Sequence, residues 1–218
     1  MPDSTAARAA ILGSIRSALG GPAGAAAQIA AAYNDIPRNY KRRGTLDRAA
    51  LLELFTHRLL EYDAGVSRCA AADISADVMR LLTERGRRKI AIPEGLPSAW
   101  LPAGFDFNHA TGLDAYALDA LQGVLTGCTV AVAETGSIVL QNAPGQGPRI
   151  LSLVPDYHLC VVFAGQLVAT VPEGFDRLTG TSDLPTTFIS GPSATADIEM
   201  TRIKGVHGPR FLDVLIVQ

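Results

Sequence analysis

The chain is poor in cysteine and empty of the spacings that bind redox centres. Its 218 residues hold three cysteines, Cys69, Cys128 and Cys160, far apart and each in an apolar context. There is no CxxC, no Cys/His ligand spacing and no even-numbered framework, which argues against a zinc ribbon or a disulfide scaffold. An iron–sulfur cluster bound by this chain alone is disfavoured too, because such clusters usually take four thiolates. The three thiols read instead as small buried hydrophobes in a reducing compartment. No run approaches the twenty apolar residues of a membrane span. The alanine-rich stretch from Gly21 to Tyr33 is too weakly hydrophobic, and too far in, for a signal-peptide core, so the expectation is a cytoplasmic protein. No GxGxxG follows a strand pattern, which speaks against a self-sufficient NAD dehydrogenase. No metal and no cofactor is expected. Internal repeats and low-complexity linkers are absent as well.

Charge is nearly balanced, 19 basic against 21 acidic residues, so nothing pulls the whole molecule toward nucleic acid or an anionic membrane. One local exception is RNYKRRG, Arg38 to Gly44, with four cations together. Two readings fit it, a solvated turn and a docking point for a partner or an anionic ligand. What is present is a globular composition, 48% hydrophobic and 18% charged. A chain of this length suits one domain with a small appendage, and buries roughly 70% of its unfolded surface without a metal or a crosslink.

Residues 1–63 read as a helical arm. Ile11, Ile15 and Leu19 recur four apart, and Leu52, Phe55, Leu59 and Tyr62 follow the same helical spacing after the Pro37 and basic break. Thr45 is a candidate N-cap for the second segment. From residue 64 to 218 the rhythm becomes β then α. VSRCA reads as a strand, and DISADVMRLLTERG as a helix capped by Asp73 and closed by Gly86. RKIAIPEG is a strand, GLDAYALDALQG a short helix, and GCTVAVAETGSIVLQ a hairpin turning at Thr135-Gly136. Near-continuous β-branched runs mark strands covered on both faces. The fold class is therefore α/β: three layers around a mixed, mostly parallel sheet, with the helical arm in front.

Ligands of such sheets settle beyond the strands' carboxyl ends, so polar residues just after apolar runs are the candidates. Glu134, followed by Thr135, Gly136 and Ser137, ends a buried strand. It fits a nucleophile or proton carrier, and equally a glutamate accepting turn N–H bonds. Asp156 and His158, two apart, fit an orienting pair or metal site, or a plain hydrogen-bonded loop histidine. In ISGPSATADIE, Gly191 forces a turn, and Ser193 and Thr195 could cap a helix running through Met200 toward Lys204. Its N–H groups would suit an anion, although Asp197 and Glu199 already oppose the dipole. In GVHGPR, Gly208 and its neighbours fix the backbone around His207, suited to acid–base work, and Arg210, suited to a bidentate clamp. A plain capped connection and a loop pinned for topology alone remain the alternatives for these two stretches.

Taken in order, ETG after a buried strand, LVPDYHLCVV, FISGPSATADIE and GVHGPRFLDVLIV, with ILGSIRSAL and IPRNYKRRG before them, resemble the lactate utilization protein C family, or LUD domain. The resemblance covers essentially the whole chain. It implies a fold of the NagB/RpiA/CoA-transferase-like kind. It also implies a role in bacterial growth on L-lactate, oxidised to pyruvate beside two iron–sulfur partner proteins, this member being the one without cluster motifs. The family supplies no catalytic residues to carry over. CoA-transferases place a catalytic glutamate in an E-x-G turn, and Glu134-Thr135-Gly136 is similar, an analogy of fold and not of activity. Two functions follow. One is a non-redox subunit or accessory protein that binds a small anion or a partner through the loops at 134–137, 191–199 and 205–210. The other is a stand-alone acyl- or phosphate-handling enzyme in which Glu134 attacks while His207 and Arg210 hold the substrate. A purely scaffolding protein is a third.

Overall fold

The computed structural model describes residues 4–19, 26–195, 203–204 and 208–218. Two compact units separate, Met1–Tyr40 and Lys41–Gln218. The first holds helices α1 (Ser4–Ala18) and α2 (Ala26–Asn34). The stripe of Ile11, Ile15 and Leu19 is present and exposed. Helix α2 has no counterpart in the sequence reading. Its alanines leave no apolar stripe to detect, yet alanine is the strongest helix former.

The second unit opens with α3 (Arg48–Glu61). Its N-cap is Asp47 and not Thr45: Asp47 has the extended backbone of a cap, and its Oδ1 accepts from Ala50 N–H at 2.8 Å. Leu52, Phe55 and Leu59 are buried in the main core. The arm expected over residues 1–63 thus divides, and α3 belongs to the α/β unit. Next come β1 (Gly65–Cys69), α4 (Ile74–Glu84), β2 (Lys89–Ile92), β3 (Asp106–His109), α5 (Ala115–Asp119) and β4 (Gly123–Thr126). Asp73 precedes α4 but makes no side-chain cap bond. It closes a 3-10 turn with φ −101° and ψ 1°, where a capping residue would be extended.

The chain continues through β5 (Val130–Val132), β6 (Ser137–Gln141), β7 (Tyr157–Phe163), β8 (Leu167–Val168), α6 (Val171–Leu178) and β9 (Thr186–Ile189). It ends with β10 (Ala194–Thr195), β11 (Ile203–Lys204) and β12 (Phe211–Val217). Six strands form an all-parallel sheet in the order β1-β12-β7-β4-β2-β3. The expected hairpin is real, but it is not part of that sheet. Strands β5 and β6 pair antiparallel at the centre of a second sheet, β8-β5-β6-β9.

Alternation along single strands shows how the layers stack. In β12, Leu212, Val214 and Ile216 face one core with α3 and the second sheet, while Leu215 and Val217 face the other with α4. In the hairpin, Ala131, Ile138 and Leu140 face the parallel sheet, while Val130, Val132 and Val139 face Leu178 of α6. Both sheets are therefore covered on both sides, which is why their strands read as unbroken apolar runs. Each fully buried Leu, Ile or Val contributes about 1.5–3 kcal/mol relative to exposure.

The helix expected from Ser193 toward Lys204 is not formed at its two described ends. β10 and β11 pair antiparallel, Ala194 with Lys204 and Thr195 with Ile203. Ser and Thr suit turns and strand starts as well as caps, and pairing across the loop decides between them.

Candidate functional site

Strand β9 runs out into Ser190-Gly191-Pro192-Ser193, and the chain re-enters the parallel sheet through Gly208-Pro209. The Ser193 N–H donates to the Pro209 carbonyl at 2.8 Å, which fastens the two segments together. Beside them lies a cavity of about 190 Å³. Its remaining lining comes from β9, from Arg149, Ser152 and Leu153 ahead of β7, and from His158 and Leu212. His158 and Leu212 are the second residues of β7 and β12 and stand side by side in register. The cavity thus sits at the amino ends of two central parallel strands, where the second sheet's β9 passes.

His158 is 1% exposed. Its Nε2 is 2.8 Å from the Thr126 hydroxyl on the neighbouring strand β4, and its Nδ1 is buried with no hydrogen-bond partner among the described residues. Burial pushes its pKa down to about 4, so the ring is neutral near pH 7. Arg149 is the one charged side chain among the described lining residues, and no carboxylate lines the cavity there. Hydroxyls complete the wall. Ser190 Oγ is 2.6 Å from Ser137 Oγ, which is in turn 2.8 Å from Thr135 Oγ1.

The LUD domain model matches residues 108–217, a span that includes every described residue lining the cavity. Lactate utilization protein C of Deinococcus radiodurans is 42% identical over 175 residues, 79% of this chain and 82% of the relative. The protein of that name from an Exiguobacterium species is 31% identical over 199 residues, 85% of each. The crystal structure of a DUF162 family protein from Deinococcus radiodurans aligns with a TM-score of 0.71 at 37% identity, over 80% of this chain and all of that one. The chain belongs to the LUD domain family.

Within this LUD domain only some of the residues singled out from sequence reach the cavity. Gly191, Ser193 and Gly208 line the cavity. Gly191 has φ +87°, and a Cβ there would lie 2.5 Å from Tyr62 Cβ at the end of α3, so only glycine fits. Ser137 and Thr135 lie one and two hydrogen bonds behind the wall through Ser190. Gly136 makes the hairpin turn at φ +61°, with Arg58 so close that a Cβ would meet it at 2.8 Å.

Glu134 and Arg210 are not among the lining residues. Glu134 pairs with Lys41, which comes from the basic stretch. Arg210 makes two bonds to Asp156, 2.6 and 3.1 Å. Asp156 also receives Arg87 at 3.1 Å, and the Arg210 bond, with Arg87 beside it, holds its carboxyl below the ordinary range. Asp156 and His158 therefore form no pair: the loop carboxylate serves two arginines, while the histidine is in the strand and buried. Thr195 belongs to β10. Asp197 and His207 lie outside the described residues.

Arg149, Ser152 and Ser190 escaped the sequence reading, and His158 was weighed only with Asp156. Residues just past apolar runs stand out in sequence, as Ser190 to Ser193 do after β9, but Arg149, Ser152 and Leu153 precede β7 and His158 lies within it. The place the rule indicates is also there. A wider cleft of about 600 Å³ lies beyond the carboxyl ends of β2 and β3, lined by Glu94, Thr111 and Asn142 among glycines and prolines. Among its described lining residues the one charged group is the Glu94 carboxylate, with Thr111 Oγ1 at 3.1 Å and His109 Nδ1 at 3.3 Å. An anion is better served beside Arg149.

Proposed function

We propose that this chain is a non-redox subunit or accessory protein of a bacterial system that oxidises L-lactate to pyruvate, and that it holds a small anion in the cavity beside Arg149. The role in lactate utilization is supported by the relatives that carry that name and align over most of both chains. The ligand reading is carried by one observation: a cavity with an arginine and no opposing carboxylate among its described lining residues. Iron–sulfur proteins of the same system are the partners this reading requires. The cavity's volume falls below the roughly 300–1,000 Å³ usual for drug-sized ligands, so it suits a molecule of few heavy atoms and not the body of a nucleotide.

The test is genetic and biochemical. A strain lacking this gene should fail to grow on L-lactate, wild type should restore growth, and Arg149→Glu should not, although it accumulates to the same level. Affinity purification from lactate-grown cells should recover iron–sulfur proteins. Growth restored by Arg149→Glu would remove the anion from the function, and a purification without cluster-bearing proteins would remove the partners.

A further inference from the structure

The wide cleft beyond β2 and β3 is built to hold its shape. One wall leaves the end of β2 at Pro93 to Gly95, a second leaves the end of β3 at Ala110 to Leu113, and a third runs between Asn142 and Ile150. Strand β2 leads outward to β3 at the sheet's edge, and the chain then returns past β2 to β4. Ligands of open α/β sheets settle at such reversals, outside the carboxyl ends of the strands. Pro93, Pro144 and Pro148 stiffen the walls. Gly95 packs so closely on the third wall that a Cβ there would lie 2.7 Å from Pro144 Cβ. At about 600 Å³ the cleft has the volume of a small-molecule site, and its stiffness means little ordering is left to be done on binding.

Glu94 ties the walls together. Its carbonyl accepts from Gly145 N–H at 2.7 Å, while its side chain crosses to the second wall. Both contacts of the carboxylate fall on one oxygen: Oε1 accepts from the Thr111 hydroxyl and has His109 Nδ1 beside it. Oε2 has no partner among the described residues, and with the side chain 65% exposed it is open to a guest. The lining's other polar side chains, Thr111 and Asn142, also carry acceptor oxygens. That inventory selects among ligands. An anion would meet the carboxylate. A divalent cation asks for several hard ligands, and no group of three His, Cys, Asp or Glu is gathered among the described residues. A vicinal diol engages both oxygens of a carboxylate, and Oε1 is already taken. One anchored carboxylate with a free oxygen, further acceptors and apolar walls suit an ammonium group on a carbon skeleton.

We infer that the cleft binds a small organic cation, a primary ammonium held by Glu94 Oε2 together with the oxygens of Thr111 and Asn142. Its carbon body lies against Leu113, Pro148 and Ile150. The Thr111 proton is committed to Glu94, which leaves the hydroxyl's lone pairs for the ammonium. The cleft shares no lining residue with the cavity beside Arg149, so the two sites take opposite charges and bind or fail independently.

The experiment titrates the full chain with butylamine, spermidine and 2-phenylethylamine, followed by calorimetry and by backbone amide NMR. Controls are 2-phenylethanol, 3-phenylpropionate and adenosine, which are neutral, anionic and diol-bearing. At least one amine should bind with a Kd of about 1 mM or tighter, and the alcohol and the acid roughly tenfold more weakly or not at all. Amide shifts should gather at residues 93–95 and 110–113. Glu94→Gln should weaken amine binding by roughly tenfold or more, the usual return from a hydrogen bond to a charged group. Because Glu94 is exposed, that variant should melt with wild type, so its loss is one of binding. Thr111→Val, which releases the carboxylate and removes an acceptor, should weaken binding by less. Amine binding that Glu94→Gln leaves unchanged, or shifts confined to other residues, would overturn the site. Adenosine binding without any amine would overturn the ligand class in favour of a diol, and no binding by any amine at about 10 mM would overturn the proposal whole.

Discussion

Arg85 holds Asp213 by two side-by-side bonds of 2.6 and 2.9 Å, and the Tyr157 hydroxyl donates to the same carboxylate at 2.9 Å. Asp213 is 2% exposed in the second strand of the parallel sheet, so its charge is out of water and depends on these partners. Burial raises the Tyr157 pKa, which keeps the hydroxyl protonated and donating.

Removing one partner of such a pair strands the other. Arg85→Met should lower unfolding free energy by about 3 kcal/mol, the low end for buried pairs, because the arginine is itself part-exposed. The double change Arg85→Met, Asp213→Leu should recover part of that loss, since two apolar side chains replace two charges. Urea unfolding with an unchanged slope measures both. A single-variant loss under about 1 kcal/mol would contradict the burial argument.

Acid should act on the fold in two stages. The folded pKa of His158 is pushed down to about 4, below the unfolded value of about 6.5. Between those values the unfolded chain binds a proton that the folded chain refuses. This contribution is complete above pH 6.5 and falls as the pH drops through the window, the loss reaching about 3 kcal/mol at its foot. Asp156 is lowered from the carboxylate range by Arg210 and Arg87, so its contribution is present above its unfolded value and disappears only in stronger acid. Melting temperature against pH should therefore begin to fall near pH 6 in wild type. In His158→Phe that first decline should vanish, leaving the acid-side one.

Much of this architecture was legible because of double-sided burial. Leu212 to Val217 alternate between two cores, and a run apolar on both faces announces a strand inside a layered α/β fold. The hairpin turn at Thr135-Gly136 was equally legible, since Gly136 must take a positive φ. The sheet that owns the hairpin was not. Val130 and Val139 are as apolar as Leu125 or Val161, and only pairing with β8 and β9, distant in sequence, separates the sheets. The cavity was half legible for the same reason. Gly191 and Gly208 stood out locally, whereas Arg149 and His158 join them only once β7, β9 and β12 are assembled.

Gly191 offers a controlled measure of how tightly the cavity's rim is set against α3. It and Gly104 share nearly the same φ, +87° and +88°, but a Cβ at Gly104 meets nothing within 4 Å while one at Gly191 meets Tyr62 at 2.5 Å. Alanine at either position incurs the left-handed backbone strain, of order 1–2 kcal/mol. Gly191→Ala should cost a further 1–3 kcal/mol, roughly, for the forced contact. Equal losses in the two variants would mean the rim yields, and that its contact with the end of α3 is loose.

The last prediction separates fold from function at Glu134. Its pair with Lys41 is surface-exposed, 37% and 59% for the two side chains, and pairs of that kind contribute about 0–1 kcal/mol. Glu134→Ala should therefore leave the melting temperature within a few degrees of wild type. That freedom makes the variant a clean probe of chemistry. If the chain serves as a binding subunit through the cavity, Glu134→Ala should still support growth on L-lactate, because the residue does not line the cavity and bears on it only through the turn. If the chain instead acts as an acyl-handling enzyme with Glu134 as nucleophile, the same well-folded variant should lose growth outright, and wild type incubated with acyl-CoA should yield a glutamyl adduct. The two outcomes exclude each other, and a thermal melt run beside the growth assay shows that neither arises from misfolding.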